Sequence, residues 1–318
     1  MIVKNDRKEK RKMGYAPRGF LIDWNDDELV KNFTDGLKEF LSKRNFTYLK
    51  LDPLVVYKEH NTNGEENTFG ESNSSLVQKL QGLGYIHMGY NNGYEASKPR
   101  WNAITTLNSN IISLYNSISK EARDKISDAA KMGNKVYKGN QNDITLLYNI
   151  INKKNPPIDY YLDYYQFFGQ NAFEIYFNKL EPISYVNSSK TLYEKEEQRN
   201  NVLNMQMQDF NNPNKDQIMN EKLKSDELLA KYKKNMLEAS RLFQQYPSGI
   251  ITAGTIVIKH GNKIAFLESG VNESFKEDYP EYLLKWQLIE TFAKQGYKEV
   301  NLGGFEKRLW IYRKDWTC

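Results

Sequence analysis

Two groups of residues in the sequence combine an arginine with neighbours that could contact a ligand. Pro17-Arg18-Gly19 places a guanidinium on a turn between a basic and an apolar segment. The second group surrounds another turn and brings together aromatic rings, a carboxylate and a guanidinium: Tyr90, Tyr94, Glu95, Arg100 and Trp101. Plainer roles remain open, since Arg18 could form a structural salt bridge and the second group an aromatic core with a surface charge pair.

Two further stretches could meet a nucleic acid or a ligand. Lys120, Arg123 and Lys131 share a predicted helix, whose basic side could contact RNA or phosphate or could simply face solvent. Gly303-Gly304 follows a predicted strand, where glycines permit either a close backbone approach to a ligand or a turn. The net charge of +5, from 45 basic and 40 acidic residues, does not by itself argue for a nucleic acid partner.

Several kinds of site are not expected. The histidines His60, His87 and His260 are scattered without ligand spacing, and the lone Cys318 is terminal. The sequence contains no G-x-S-x-G, Walker A or dinucleotide-binding fingerprint. We therefore expect no metal, no internal disulfide and no resident cofactor.

Apolar periodicity predicts the elements that position these groups. Strands are expected at Thr47–Leu51 and Trp101–Leu107, and a single helix from Ile111 to Met132, closed by Gly133. The chain as a whole alternates helices and strands, which is typical of an α/β protein, and its 318 residues favour two lobes.

The segment from 188 to 245 has a different composition, with almost no glycine and many charged and amide side chains. Its second half carries apolar residues at alternating steps of three and four: Leu229, Tyr232, Met236, Ala239 and Phe243. This is the spacing of a coiled-coil seam, and Asn211-Asn212-Pro213-Asn214 is the expected turn. We predict an antiparallel helical arm that projects on the order of 40 Å.

No stretch approaches the roughly 20 apolar residues that span a bilayer. The N-terminus lacks the apolar region of a signal peptide. A cytoplasmic location is therefore expected.

Several short motifs resemble those of one known family, the Fem (FemABX) aminoacyl-tRNA-dependent peptidyltransferases. They occur in the family's order along the chain: Tyr15-Ala16-Pro17-Arg18-Gly19 with Asp23, Leu49-x-Leu51-Asp52-Pro53, Pro99-Arg100-Trp101, Ser119-Lys120-x-x-Arg123-x-x-Ile126 with Ala130 and Gly133, Pro280-x-Tyr282-Leu283-Leu284-x-Trp286, and Asn301-Leu302-Gly303-Gly304. Each motif is weak alone, but their shared order from Tyr15 to Gly304 is specific.

The resemblance implies a fold of two GNAT-like acyltransferase lobes with the antiparallel coiled-coil arm inserted in the second. The expected divisions are residues 1–134 for the first lobe, 135–187 with 246–318 for the second, and 188–245 for the arm. The implied reaction transfers glycine, alanine or serine from aminoacyl-tRNA to the stem-peptide amine of a peptidoglycan precursor, either lipid II or UDP-MurNAc-pentapeptide. Peripheral association with the inner face of the membrane, and oligomers with the same or related transferases, are also compatible with the resemblance.

The resemblance also assigns roles to residues. Glu95 would be the proton acceptor, although the family more often has Asp there, and Tyr312-Arg313 would match the family's terminal aromatic and Lys. Substrate contacts are implied for Arg18, Tyr90, Tyr94, Arg100, Trp101, Tyr282, Trp286, Gly303 and Gly304. Contacts with tRNA are implied for Lys120, Arg123 and Lys131.

Two departures from the family pattern leave an alternative open. Members usually carry about 60 more residues before the Tyr15 motif, and they continue beyond the position of Arg313. The chain could therefore be a truncated, inactive fragment that binds tRNA or a partner. An acyl-CoA acetyltransferase is less well supported, because the pyrophosphate-binding loop Q/R-x-x-G-x-G/A is absent from the sequence.

Overall fold

A computed structural model describes residues 1–6, 11–61, 63–90, 99–151, 156–208 and 213–305. They form a mixed α/β protein with two β-sheets, which confirms the predicted fold class. The chain divides into two compact units, residues 1–103 with 304–318 and residues 104–303. Within the described ranges, no helix is long and apolar enough to cross a membrane.

The first unit contains a three-stranded sheet in the order β1-β2-β3. Strand β2 runs antiparallel to β1 and parallel to β3, and the helix α1 makes the crossover that a parallel pair requires. The carboxylate of Asp26 caps α1 by accepting a hydrogen bond from the Leu29 amide at 2.9 Å. The elements are β1 Ile2–Asp6, β2 Arg11–Arg18, α1 Asp27–Ser42, β3 Phe46–Pro53 and α2 Ser75–Gly82.

A six-stranded sheet in the order β4-β9-β8-β7-β6-β5 dominates the second unit, and the boundary between the units falls within β4 and β9. Strand β6 is buried on both faces, with Phe177 packed toward α5 and α6 and Tyr176 packed against Phe292 of α9. The elements are β4 Trp101–Thr106, α3 Ile111–Ser117, α4 Lys120–Lys131, β5 Asn134–Lys138, α5 Ile144–Ile151, α6 Ile158–Phe168, β6 Phe173–Leu180, α7 Pro182–Gln208, α8 Lys215–Gln245, β7 Ile250–His260, β8 Lys263–Val271, α9 Pro280–Lys294 and β9 Glu299–Phe305.

The helix predicted from Ile111 to Met132 is wrong as a single element, because it breaks between α3 and α4. Ile118 is extended, with φ −71° and ψ 147°, and the Ser119 hydroxyl caps α4 by accepting from the Ala122 amide at 3.1 Å. The Arg123 guanidinium donates to the carbonyls of Asn116 at 2.8 Å and Ile118 at 2.6 Å. Local capping therefore outweighs the helical periodicity that crosses the junction.

The helical arm consists of α7 and α8, which pack against each other within the second unit. It begins at Pro182 rather than at residue 188 and ends at Gln245. In the predicted seam Ala239 is fully buried, but Leu242 is buried in place of Phe243, whose exposure is 38%. The apolar spacing alone did not show that polar side chains fill part of the interface.

The two compact units divide after Ala103, and the predicted lobe boundary after residue 134 stays a prediction. Within the second unit α4 lies against α9, and the amide of Leu107 donates to the carbonyl of Lys298 at 2.8 Å. The described residues Gly304 and Phe305 group with the first unit.

Candidate functional site

The guanidinium of Arg100 lies over two aromatic rings of the first unit. Its central carbon is 4.2 Å from the centre of the Tyr90 ring and 4.8 Å from that of Trp101. A guanidinium over aromatic faces keeps its charge and gains about 0.5–1 kcal/mol per exposed ring. The rings therefore hold a positive charge in a fixed, half-exposed position.

More rings continue this cluster, which we call the Arg100 cluster and define as Tyr57, His60, His87, Tyr90, Arg100 and Trp101. The ring centres of Tyr57 and His87 lie 5.2 Å and 4.7 Å from that of Tyr90. His60 meets Trp101 edge-on at 5.1 Å. Burial and a hydrogen bond with Tyr57 raise the pKa of Tyr90, and the Arg100 charge only partly opposes them. Tyr90 therefore stays a neutral phenol at physiological pH.

Arg18 joins the same neighbourhood through its backbone and its side chain. Its φ of 53° is in the left-handed region, which is uncommon for a residue with a side chain. The Asp52 carboxylate accepts from the Arg18 amide at 2.9 Å, and the Arg18 guanidinium donates to the Pro99 carbonyl at 3.0 Å. These contacts fix the residue before Arg100, so that Arg18 supports the cluster.

Gly304 packs directly against Pro99, and both belong to the first unit. A Cβ at this position would lie 1.7 Å from Cγ of Pro99 and 2.6 Å from its Cβ. The missing side chain of Gly304 thus makes room for Pro99, and the predicted approach of a ligand at this glycine stays a prediction.

Five of the residues predicted for substrate binding therefore share one neighbourhood in the first unit: Arg18, Tyr90, Arg100, Trp101 and Gly304. Four other predicted site residues lie outside the described residues: Tyr94, Glu95, Tyr312 and Arg313.

Tyr282 lies in the second unit beside a partly buried cation. The Lys125 ammonium is 3.4 Å from the Tyr282 hydroxyl, 2.6 Å from the Glu121 carboxylate and 5.1 Å from the centre of the Tyr279 ring. Burial lowers the pKa of Lys125, but the hydrogen bonds to Glu121 and Tyr282 outweigh it and the pKa is raised. Lys125 is therefore a permanent cation at neutral pH.

Trp286 and Gly303 have structural surroundings in the second unit. Trp286 is buried and its ring lies 5.0 Å from that of Tyr115. Gly303 has a φ of 95°, and its amide donates to the Asn301 side chain at 2.8 Å. The positive φ favours glycine at this position of β9.

The three cations predicted to contact tRNA differ in their surroundings. The Arg123 guanidinium is engaged with the carbonyls at the end of α3. Lys131 is exposed and forms an ion pair with Asp128 at 3.2 Å. Lys120 is exposed at the start of α4.

Comparison with known proteins gives the family. The model of the FemAB family matches residues 1–309. The chain belongs to the FemAB family. Aminoacyltransferase FemA of Staphylococcus epidermidis is 25% identical over 302 residues, covering 91% of this chain and 71% of that protein. Lipid II:glycine glycyltransferase of Staphylococcus aureus is 21% identical over 336 residues, covering 95% and 73%.

A solved FemX structure has a TM-score of 0.69 with 20% identity, covering 99% of this chain and 79% of that one. This likeness shows a shared fold. Together with the family match, it confirms the resemblance seen in the motifs, and the FemAB chain is an enzyme of the transferase class.

Sequence reasoning missed part of this FemAB site. Tyr57, His60 and His87 join the Arg100 cluster although no motif marks them, because side chains far along the chain meet only in the fold. Lys125 carries no signal that separates it from the other basic residues of its helix. Asp52 did carry a signal, since it belongs to the Leu49-x-Leu51-Asp52-Pro53 motif.

Proposed function

We propose that this chain transfers an aminoacyl group, glycine, alanine or serine, from an aminoacyl-tRNA to the stem-peptide amine of a peptidoglycan precursor. Support comes from the family match and from relatives named as an aminoacyltransferase and a lipid II:glycine glycyltransferase. The structural observation that carries the proposal is the Arg100 guanidinium in contact with the Tyr90 and Trp101 rings.

The reaction needs positioning more than a strong catalyst. The amine nitrogen attacks the ester carbonyl carbon, the bond from that carbon to the ribose oxygen breaks, and a proton passes from the amine to the ribose oxygen. Because the ester is already activated, an enzyme contributes by holding the two reactants together and stabilising the oxyanion. A covalent enzyme intermediate is not required.

Arg100 would bind an anionic group of the precursor. Guanidinium groups bind phosphates and carboxylates through paired N–H donors. We infer that the donor edge of the guanidinium, beside the Tyr90 and Trp101 rings, faces the ligand. Arg18 would act indirectly, by fixing the carbonyl of Pro99.

We assign the remaining roles from the family resemblance. Glu95 would accept the proton from the attacking amine, and Tyr312 with Arg313 would stabilise the negative charge that develops on the ester oxygen. Lys120 and Lys131 would contact the tRNA backbone.

The test supplies purified protein with glycyl-, alanyl- or seryl-tRNA and lipid II, and follows the mass of the stem peptide. The expected result is an increment of one or more residues with one of these donors. No increment with any donor, while the protein still binds tRNA, would instead favour the inactive binding fragment.

Variants of two arginines in the first unit connect the activity to the site. Arg100→Ala is expected to slow transfer at least about tenfold, equivalent to about 1.4 kcal/mol. Arg44→Ala is the matched control, since Arg44 also covers an aromatic ring, Phe40, with 3.9 Å from its central carbon to the ring centre. Equal rates for the two variants would remove Arg100 from the substrate site.

A further inference from the structure

A buried carboxylate at the end of β6 binds three donors. Glu174 is only 6% exposed. Its Oε1 accepts from Lys138 at 2.6 Å and from Lys259 at 2.7 Å, while its Oε2 accepts from the Tyr176 hydroxyl at 2.7 Å. Burial raises the pKa of Glu174, but these hydrogen bonds outweigh it and lower the pKa overall. The carboxylate is therefore ionised at neutral pH.

The group carries one positive charge more than is needed to balance Glu174. Both ammonium groups contact the same oxygen, so they are held close to each other. Each ammonium has three N–H donors. Within the described part of the chain, both ammonium groups donate to Glu174. Two like charges repel, and a second anion between or beside them would relieve that repulsion.

A cleft of about 160 Å³ opens beside this group. Lys138 and Glu174 line it, and the Lys138 side chain is 52% exposed. The remaining wall combines amide side chains with a phenol and two apolar residues: Asn140, Gln170, Asn171, Tyr165, Phe173 and Ile175. Asp143, the nearby acid, accepts from the Asn140 amide at 2.8 Å as part of a helix cap.

We propose that this cleft binds a phosphate group at Lys138, whose ammonium Glu174 holds in position, while Lys259, which does not line the cleft, balances the charge of Glu174. Lysine is a common phosphate ligand that acts as a point charge, and amide side chains supply further donors to phosphate oxygens. The net positive charge disfavours a cation, and the ionised lining disfavours a wholly apolar ligand. The residues of the site all belong to the second unit, and the proposal does not rest on the proposed transfer reaction.

The test is calorimetric titration of the full chain with sodium phosphate and, separately, with adenosine monophosphate, each against sodium chloride of equal ionic strength. Wild-type protein should bind phosphate saturably. Lys138→Met should weaken binding at least about tenfold, equivalent to 1.4 kcal/mol, because it leaves Lys259 and Glu174 as a neutral pair. Lys138→Arg restores the charge and should recover most of the affinity.

Lys135→Met is the matched control, because Lys135 lies on the same strand and pairs with Glu181 at 2.6 Å. It should leave the phosphate affinity unchanged, and thermal melting checks that each variant folds. Tighter binding of the nucleotide than of phosphate would identify the ligand as a phosphorylated small molecule. Equal affinities would identify it as free phosphate. No saturable binding by wild type, or an equal loss in the Lys135 and Lys138 variants, would overturn the proposal.

Discussion

Replacing Ser225 by alanine tests what holds the two helices of the arm together. Ser225 is fully buried in α8. Its hydroxyl donates to the Glu196 carboxylate at 2.6 Å and accepts from the Asn200 side chain at 3.0 Å. Alanine would remove both contacts and leave polar atoms of α7 in a buried interface without their partner.

The expected cost follows from the two hydrogen bonds. A bond to a charged group contributes about 1.5–3 kcal/mol and a neutral one about 0.5–1.5 kcal/mol. Asn200 retains its bond to Asp226 at 2.8 Å, and Arg199 lies 3.6 Å from Glu196, so part of the loss is compensated. We expect Ser225→Ala to destabilise the arm by about 2–4 kcal/mol.

Hydrogen exchange measured by mass spectrometry reports this destabilisation locally. Amides of the arm exchange when the arm opens, so their exchange rates give the free energy of that opening. Peptides of α7 and α8 should exchange about 30- to 700-fold faster, at tenfold per 1.4 kcal/mol. Ser240→Ala is the control on the same helix, because the exposed Ser240 hydroxyl donates only to the Met236 carbonyl of its own helix, at 2.9 Å. Equal protection in the two variants would refute the reasoning.

Two further predictions concern single side chains in the two units. Gly304→Ala should lower the free energy of unfolding by about 1–3 kcal/mol, because the added Cβ clashes with Pro99. Gly36→Ala, in an open helical position, should raise it by about 0.5–1 kcal/mol. Urea denaturation measures both changes, and changes of the same sign would contradict the packing argument. Because the pKa of Glu174 is lowered in the folded state, its contribution to stability is present above the ordinary value of 4.5 and is lost as the pH falls through the folded pKa. The free energy of unfolding of Glu174→Gln should therefore fall less than that of the wild type as the pH is lowered. An equal dependence on pH in the two proteins would contradict a lowered pKa of Glu174.

Much of the fold could be predicted because its signals are local. The carboxylate of Asp26 caps α1, and the turn after His260 joins β7 to β8. The change in composition near residue 188 marks the arm, because helices that pack mainly on each other keep a polar outer surface. These features depend on residues a few positions apart.

The site could be predicted only in part, because its contacts join distant segments. Nothing near Gly304 in the sequence indicates that Pro99 will occupy the space of its missing side chain. The rings of Tyr57 and His87 reach Tyr90 from loops whose sequences have no periodic pattern. The motif that contains Arg100 predicted this cation as a site residue, but only the fold shows which rings contact it.

The helix α4 shows why a run of basic residues does not define a nucleic acid surface. The contacts that each cation already makes within the fold decide which cations can reach a phosphate. Arg123 donates to the carbonyls that end α3, and Lys125 is held by Glu121 and tyrosine rings. Phosphate binding by either would have to replace contacts that the fold uses. A tRNA contact from α4 would therefore depend on Lys120 and Lys131, which are exposed. Replacing both Lys120 and Lys131 by neutral residues should make the slope of log affinity for tRNA against log salt concentration less steep. The change should correspond to the loss of up to about two phosphate contacts.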